Sequence, residues 1–335
     1  MFSTFRRFLP VNTYTMKYKA AITATILTGA YTSQFITPSF SSYTQKKKIL
    51  PTAYAGFNPE FLDDMRKLDD EDPNFSVLGP VKNGGMSTER FLPFRLADAE
   101  IVSKDTCVYF FQLNHPEATL DMPITSYVLA QTIIDGEQII RPYTPLGNIM
   151  GVFPLLVKTY PGGKMSGHFA RLEVGDKINF KGPFIKYHYN ANEYDRLTLI
   201  AGGTGITPMY QMIDGILSDE NDRTRVHLLY ANRRVDDILM KAVLDAFAEA
   251  YPDRFKVTYM VDAPSKDWSG PTGFINADIV NAIAGAPNPH HKIFVCGPPG
   301  LMKSVCGTKG PNYTQGETTG ILRDLGFTEK DVYKF

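Results

Sequence analysis

Cysteine is scarce in this chain, and its scarcity excludes two structural classes. Cys107, Cys296 and Cys306 are the only three in 335 residues. An odd, scattered set is a poor disulfide framework, so reduced thiols are expected. No CxxC pair or Cys/His cluster has metal-ligand spacing, which argues against a zinc or iron–sulfur site. Net charge is missing as well. Lys and Arg together number 35, as do Asp and Glu, so the basic excess of a nucleic-acid-binding protein is absent. A balanced total still leaves room for a local basic face toward an acidic partner. The rest is ordinary for a soluble globular protein, with 43% hydrophobic and 21% charged residues. The length exceeds one typical domain and suggests two with a tail.

Acidic residues are absent from the start of the chain; the first is Glu60. Arg6, Arg7, Lys17 and Lys19 precede an uncharged stretch over 20–45, and Lys46, Lys47 and Lys48 follow. A basic, hydroxyl-rich, acid-free start resembles a mitochondrial targeting segment. Residues 1–50 are therefore read as a leader, with the mitochondrial outer membrane, the intermembrane space or both as its destination. Residues 20–36 are long enough to cross a bilayer, which takes about 17–25 residues. They are weakly apolar, however, holding four Thr, a Ser and a Gln. A retained membrane anchor and a cleaved leader both stay open.

Residues 51–189 read as short strands between turns. Strands are expected over 106–113, 126–134, 138–141, 153–160 and the end of 173–182. Asp135-Gly136 and Gly175-Asp176 supply turn signals. Many short strands suggest a closed antiparallel barrel, because closure removes exposed edges. Two pieces carry chemistry. In Arg141-Pro142-Tyr143-Thr144-Pro145, extended backbone sends Arg141 and Tyr143 to one side and Thr144 to the other. A guanidinium suits a pyrophosphate, a Tyr ring can cover an aromatic cofactor, and a Thr hydroxyl can bond a ring nitrogen. In Gly162-Gly163-Lys164-Met165-Ser166, consecutive glycines let backbone N–H groups close on phosphate oxygens, with a helix starting near Ser166. Each alone is weak; a solvated edge Arg and a plain glycine turn are the bland readings.

On these residues the chain resembles the ferredoxin–NADP reductase superfamily and, within it, the NADH:cytochrome b5 reductase family. The leader is similar to that of the fungal mitochondrial form. The resemblance runs from residue 53 to the carboxyl terminus. It implies an antiparallel six-stranded Greek-key FAD-binding barrel over 51–189, then a Rossmann-like parallel-sheet NAD(P)-binding α/β domain over 190–335. By this resemblance Arg141, Pro142, Tyr143, Thr144, Gly163, Lys164, Met165 and Ser166 form the FAD site. Val157 backbone and the Lys158 and Tyr160 side chains are expected to fix the adenine half and the flavin edge.

From residue 195 strands alternate with helices, which independently implies a parallel sheet wrapped by helices. Strands are expected over 197–200, 225–230, 255–261 and 293–296, and helices over 209–217, 237–251 and 277–283. Ligands of such sheets sit beyond the carboxyl ends of the strands. Gly202-Gly203-Thr204-Gly205-Ile206-Thr207-Pro208 lies at one such end. Thr207 is expected as N-cap and Pro208 as the first helical residue. Pro208 stands where a GxGxxG fingerprint has its third glycine. Cys296-Gly297-Pro298-Pro299-Gly300 lies at another end. The resemblance sets Gly202, Gly203, Thr204, Thr207, Cys296, Gly297 and Pro298 around NADH, with Thr144, Thr207 and Cys296 at the reacting centre. Cys296 is read as a positioning residue, since hydride transfer needs alignment and no base; its bland reading is a buried structural thiol.

Asp237 is expected, by resemblance, near the adenosine ribose, where a carboxylate favours NADH over NADPH. Arg233 and Arg234 pull the other way, and helix capping by Asp236 and Asp237 is the alternative. Tyr333 or Phe335 is read either as a gate on the nicotinamide face or as part of a final strand. The implied activity is an enzyme that passes electrons from NADH through FAD to a haem protein such as cytochrome b5. Lys164 and neighbouring lysines are docking candidates for that acidic partner, and the family implies a monomer. Two alternatives stay open: a reductase feeding an oxygenase or nitrate-reducing partner, and a flavin-binding scaffold without activity.

Overall fold

The computed structural model describes residues 82–147 and 149–335. The leader, and the barrel domain up to residue 81, lie outside them. Among the described residues no helix is long and apolar enough to cross a membrane, and no His, Cys, Asp and Glu group could hold a metal.

Six strands form the first sheet: β1 (Leu92–Ser103), β2 (Thr106–Gln112), β3 (Ser126–Ile134), β4 (Glu137–Tyr143), β5 (Val152–Lys158) and β6 (Lys177–Ile185). Their order is β4-β3-β6-β1-β2-β5, antiparallel throughout. β6 therefore lies between β3 and β1, as a Greek key requires. The two edge strands meet just beyond β4, where Pro145 bridges Leu155 and Leu146 N–H donates to Pro154 O at 3.0 Å. The sheet thus curls into the expected barrel, closed at that point. Asp135 and Gly136 both have positive φ and make the β3–β4 hairpin.

β1 was not expected, because Ala97-Asp98-Ala99-Glu100 are poor strand formers. Pairing on both sides, to β6 through Leu92–Arg95 and to β2 through Leu96–Ser103, holds it in place. Its first half carries Phe94 and Leu96 into the core. There Phe111 packs on Phe180 at 4.7 Å, Phe153 on Phe180 at 5.1 Å and Phe94 on Phe153 at 5.5 Å, mostly edge to face. Helix α1 (Lys164–Phe169) adds Phe169, 6.0 Å from Phe111 and 5.1 Å from Tyr143. The aromatic core therefore fixes both α1 and the end of β4.

Five parallel strands make the second sheet: β7 (Arg196–Gly202), β8 (Arg225–Arg234), β9 (Phe255–Ala263), β10 (His291–Cys296) and β11 (Val332–Lys334), in the order β11-β10-β7-β8-β9. The chain runs outward from β7 through β8 to β9, then returns to place β10 on the other side of β7. The switch point lies between β7 and β10, so their following turns stand side by side. Helices α2 (Ile206–Ser218), α3 (Lys241–Ala250), α4 (Ala277–Ala284), α5 (Pro299–Val305) and α6 (Gly320–Asp324) connect or cover the strands.

Two local expectations, the starts of two helices, are corrected. Helix α2 starts at Ile206 with Gly205 at its N-cap, so Thr207 lies inside the first turn, where its hydroxyl donates to Thr204 O at 3.2 Å. Helix α3 starts at Lys241, not at 237, after a 3-10 turn over Val235–Asp237 and a left-handed Met240. Neither Asp236 nor Asp237 caps it. The carboxyl terminus forms the strand β11 beside β10.

Phe111 is fully buried among three phenylalanines. Phe111→Ala is expected to lower stability by about 3–5 kcal/mol, as measured by urea unfolding followed by far-UV circular dichroism.

Candidate functional site

On the barrel, β4 presents Glu137, Arg141 and Tyr143 to one face, two or four residues apart. Glu137 pairs with the Lys164 ammonium, and the Tyr143 ring meets Phe169. Those partners are the two ends of α1, so the exposed Arg141 between them overlooks this helix. Its Nη1 donates to Ile140 O at 2.7 Å. Burial pushes the Tyr143 phenol above its ordinary pKa, with Arg141 opposing more weakly. Tyr143 is therefore a neutral aromatic surface.

The loop before α1 is shaped by its own contacts. Gly162 has φ of +73° and open space where a Cβ would stand. At Gly163 a Cβ would fall 2.4 Å from Ser166 Oγ. Ser166 Oγ accepts from Tyr160 N–H at 3.3 Å, so this hydroxyl closes the loop. The Met165 side chain is buried in the barrel core. What 163–166 can offer an anion is therefore mainly backbone N–H groups of the first helical turn, which have no acceptor inside the helix. With Arg141 over the same helix, this arrangement fits a pyrophosphate.

Val157 is buried, and its backbone pairs with Cys107. Lys158 does not stand free: its ammonium lies 3.3 Å from Asp105. Tyr160 projects from the end of β5 and its hydroxyl lies 3.1 Å from Thr204 Oγ1 in the α/β half. This contact brings the end of the barrel strand to the first glycine turn.

That turn packs directly on the second. A Cβ on Gly205 would fall 2.2 Å from Cys296 O, and one on Gly202 2.6 Å from Leu301 Cδ1. Gly203, by contrast, has φ of +54° and nothing within 4 Å of its Cβ position. It opens on the crevice at the switch point. Tyr230 OH donates to Gly203 O at 2.9 Å and supports it from the sheet. Beside Tyr230 on β8, Asn232 is buried with its amide against the Tyr230 phenol. A glycine open on one side, in a turn braced by Tyr230, leaves room for a nucleotide against the backbone.

Thr144 is half-buried just past β4, and Gly297 and Pro298 follow β10. Cys296 is half-buried overall, but desolvation of its sulfur pushes the thiol up to about 12. It is no nucleophile near neutral pH. Asp237 is buried in the 3-10 turn beyond β8. Tyr333 OH donates to Lys186 O at 2.5 Å, which joins β11 to the segment after β6. Tyr333 thus lies in the last strand, with its hydroxyl held by the segment after β6.

Sequence reasoning missed several residues here. Gln211 on α2 donates from Nε2 to Pro145 O at 3.2 Å and to Ser126 O at 3.3 Å, tying the α/β half to the RPYTP strand. Tyr230 and Asn232 look like ordinary strand residues in LLYANRR. Lys309 lies in a loop distant in sequence; burial and Lys186 bring its pKa down to about 8 beside Cys296.

Comparison with known proteins supports both halves. The family model for an oxidoreductase FAD-binding domain matches residues 93–189, and that for an oxidoreductase NAD-binding domain matches 199–307. A Meyerozyma guilliermondii protein named NADH-cytochrome b5 reductase 2 is 36% identical over 300 residues, covering 89% of this chain and 100% of that protein. An Arabidopsis thaliana NADH-cytochrome b5 reductase-like protein is 42% identical over 75% of this chain and 78% of its own. The cytochrome b5 reductase domain of Ulva prolifera nitrate reductase superposes with a TM-score of 0.66 at 31% identity, covering 76% of this chain and 100% of that domain.

The contact between the two turns can be tested without ligand. Gly205→Ala is expected to destabilise by about 1–3 kcal/mol through overpacking. Gly300→Ala, inside α5 with no atom within 4 Å of the added methyl, is expected to be neutral or slightly stabilising. Thermal unfolding of both variants checks the contrast.

Proposed function

The chain belongs to the NADH-cytochrome b5 reductase family, and from that premise we propose that its two halves carry electrons from NADH, through FAD, to a haem protein of the cytochrome b5 type. The observation that carries this reading is the meeting of two sites. The RPYTP strand and the α1 loop lie at the barrel end that Tyr160 links to Thr204, beside the crevice between β7 and β10.

Within this reading Arg141 and the backbone of 163–166 hold the FAD pyrophosphate. Tyr143 covers the ring system, Thr144 bonds its edge, and Val157 and Tyr160 line the remaining side. Lys158 acts through its ion pair with Asp105, steadying the strand end. Gly202, Gly203, Thr204, Thr207, Gly297 and Pro298 shape the nicotinamide nucleotide site, and Asp237 faces the ribose. FAD held there would supply the chemistry that accepts two electrons at once and gives them up singly. The protein contributes alignment: the two packed glycine turns set the nucleotide against the barrel, and Cys296 fills the space between as a neutral thiol. Nothing in the site has to move a proton for this transfer.

Asp237 supports a preference for NADH, because a carboxylate repels a 2′-phosphate. The basic, acid-free residues 1–50 support delivery to the mitochondrial outer membrane or intermembrane space, with 20–36 as an anchor. A monomer is sufficient for this chemistry, and exposed lysines such as Lys164 suit an acidic haem-protein partner.

The purified protein is expected to show a flavin spectrum that bleaches on anaerobic addition of NADH and more slowly with NADPH. Colourless protein that cannot be reconstituted with FAD refutes the reading. Arg141→Gln is expected to weaken FAD binding by about tenfold or more, the worth of one charge-assisted bidentate contact, with the far-UV spectrum unchanged. For the leader, carbonate extraction of isolated mitochondria is expected to leave part of the protein in the membrane pellet; complete release removes the anchor.

A further inference from the structure

A cavity of about 460 Å³ opens at the opposite end of the second sheet, beneath the amino-terminal ends of β7, β8, β9 and β10. Gly202 lies six residue steps along β7 from Arg196, so this cavity lies about 20 Å from the glycine turns, at about 3.3 Å per residue. Its volume is in the range of small-molecule sites, about 300–1,000 Å³. The reading above makes no use of it.

Strand register explains its chemistry. His291 pairs with Arg196, and Arg196 with Arg225, in one row across three strands. Two residues further along, on the same face, Thr198 pairs with His227, and His227 with Lys256. Arg254, just before β9, joins the lining. Four permanent cations therefore converge on one face, against the carboxylates of Asp195 and Asp253. None of the four forms an ion pair with a carboxylate among the described residues. Like charges opposite each other on neighbouring strands are destabilising when nothing neutralises them.

The histidines in this cluster are already anchored. His291 Nε2 lies 2.9 Å from Thr198 Oγ1 and its Nδ1 3.2 Å from an Arg196 nitrogen; His227 Nε2 lies 3.0 Å from Thr258 Oγ1. Burial first, then Arg196, pushes His291 down to about 4, and burial with Lys256 and Arg196 lowers His227. The guanidinium of Arg254 donates through Nη2 to Ile216 O at 2.6 Å, while its buried Nε has no partner among the described residues. The exposed Arg225 and Lys256 complete the rim. A recessed face with surplus positive charge, rimmed by the exposed Arg225 and Lys256, suits an anion with several acceptor oxygens.

We propose that this cavity is a second binding site, separate from the nucleotide crevice, and that it takes a soluble, multiply phosphorylated small molecule. The probe is tripolyphosphate, titrated calorimetrically into the full-length, FAD-loaded protein with NAD⁺ saturating the crevice. One-to-one binding is expected, weakening steeply with added salt. The double variant Arg225→Gln, Lys256→Gln is expected to bind about tenfold or more weakly, while its NADH-dependent reduction of ferricyanide stays at the wild-type rate. Should the double variant not fold, Arg225→Gln alone is expected to show a smaller loss in the same direction. Absence of binding up to roughly 10 mM, an affinity too weak to matter, overturns the proposal. Equal affinity in wild type and variant does the same. Co-sedimentation with phosphatidylinositol 4,5-bisphosphate vesicles that the double variant loses, without tripolyphosphate binding, transfers the face to a membrane surface and also overturns it.

Discussion

The backbone contact between Gly205 and Cys296 governs the α/β half. No side chain fits at residue 205, because its Cβ would lie 2.2 Å from Cys296 O. Strands β7 and β10 are neighbours only because the chain reverses direction at that point in the sheet. The glycine lets the turns after both strands settle against each other, and the crevice above them is a by-product of that packing. Gly203, two residues earlier, is left with its outer side open. One close approach thus produces the rigid floor and the accessible edge together.

The barrel is coupled to this floor through few but buried contacts. Gln211, near the middle of α2, donates to backbone oxygens on two barrel segments, one of them directly after Thr144. A Cβ on Gly215, one turn later on the same helix, would meet Ile124 at 2.5 Å. Tyr189 OH donates to Asp222 at 2.7 Å, and Tyr333 reaches back to Lys186. A helix that begins at the nucleotide turn therefore also braces the flavin-side strand. Buried, oriented hydrogen bonds of this kind set a spacing between the halves, and electron transfer between two aromatic systems depends on such a spacing.

Much of this was legible in the sequence. Turn chemistry and alternation located five of the six barrel strands, and the switch to alternating strands and helices located the parallel sheet. GGTGITP and CGPPG follow the carboxyl ends of the adjacent strands β7 and β10, as the alternation led one to expect. The strand β1 was illegible because its pairing partners, not its composition, make it extended. The start of α2 was misplaced because Gly205 caps it without a side chain. Lys158 reads as a side-chain ligand, yet its ammonium is taken by Asp105, whereas the side chains of Met165 and Ser166 go to the core and the loop and leave their backbone for an anion. Residues such as Gln211 and Lys309 act across the fold, and no local pattern marks them.

The state of Cys296 has a consequence for durability. Reduced flavins react with oxygen to give peroxide, and peroxide attacks thiolates far faster than thiols. A sulfur pushed up to about 12 by desolvation carries almost no thiolate near neutral pH. Cys306, buried nearby and pushed up to about 11, is shielded in the same way. The same desolvation that makes Cys296 useless as a nucleophile makes it a poor target for such oxidants.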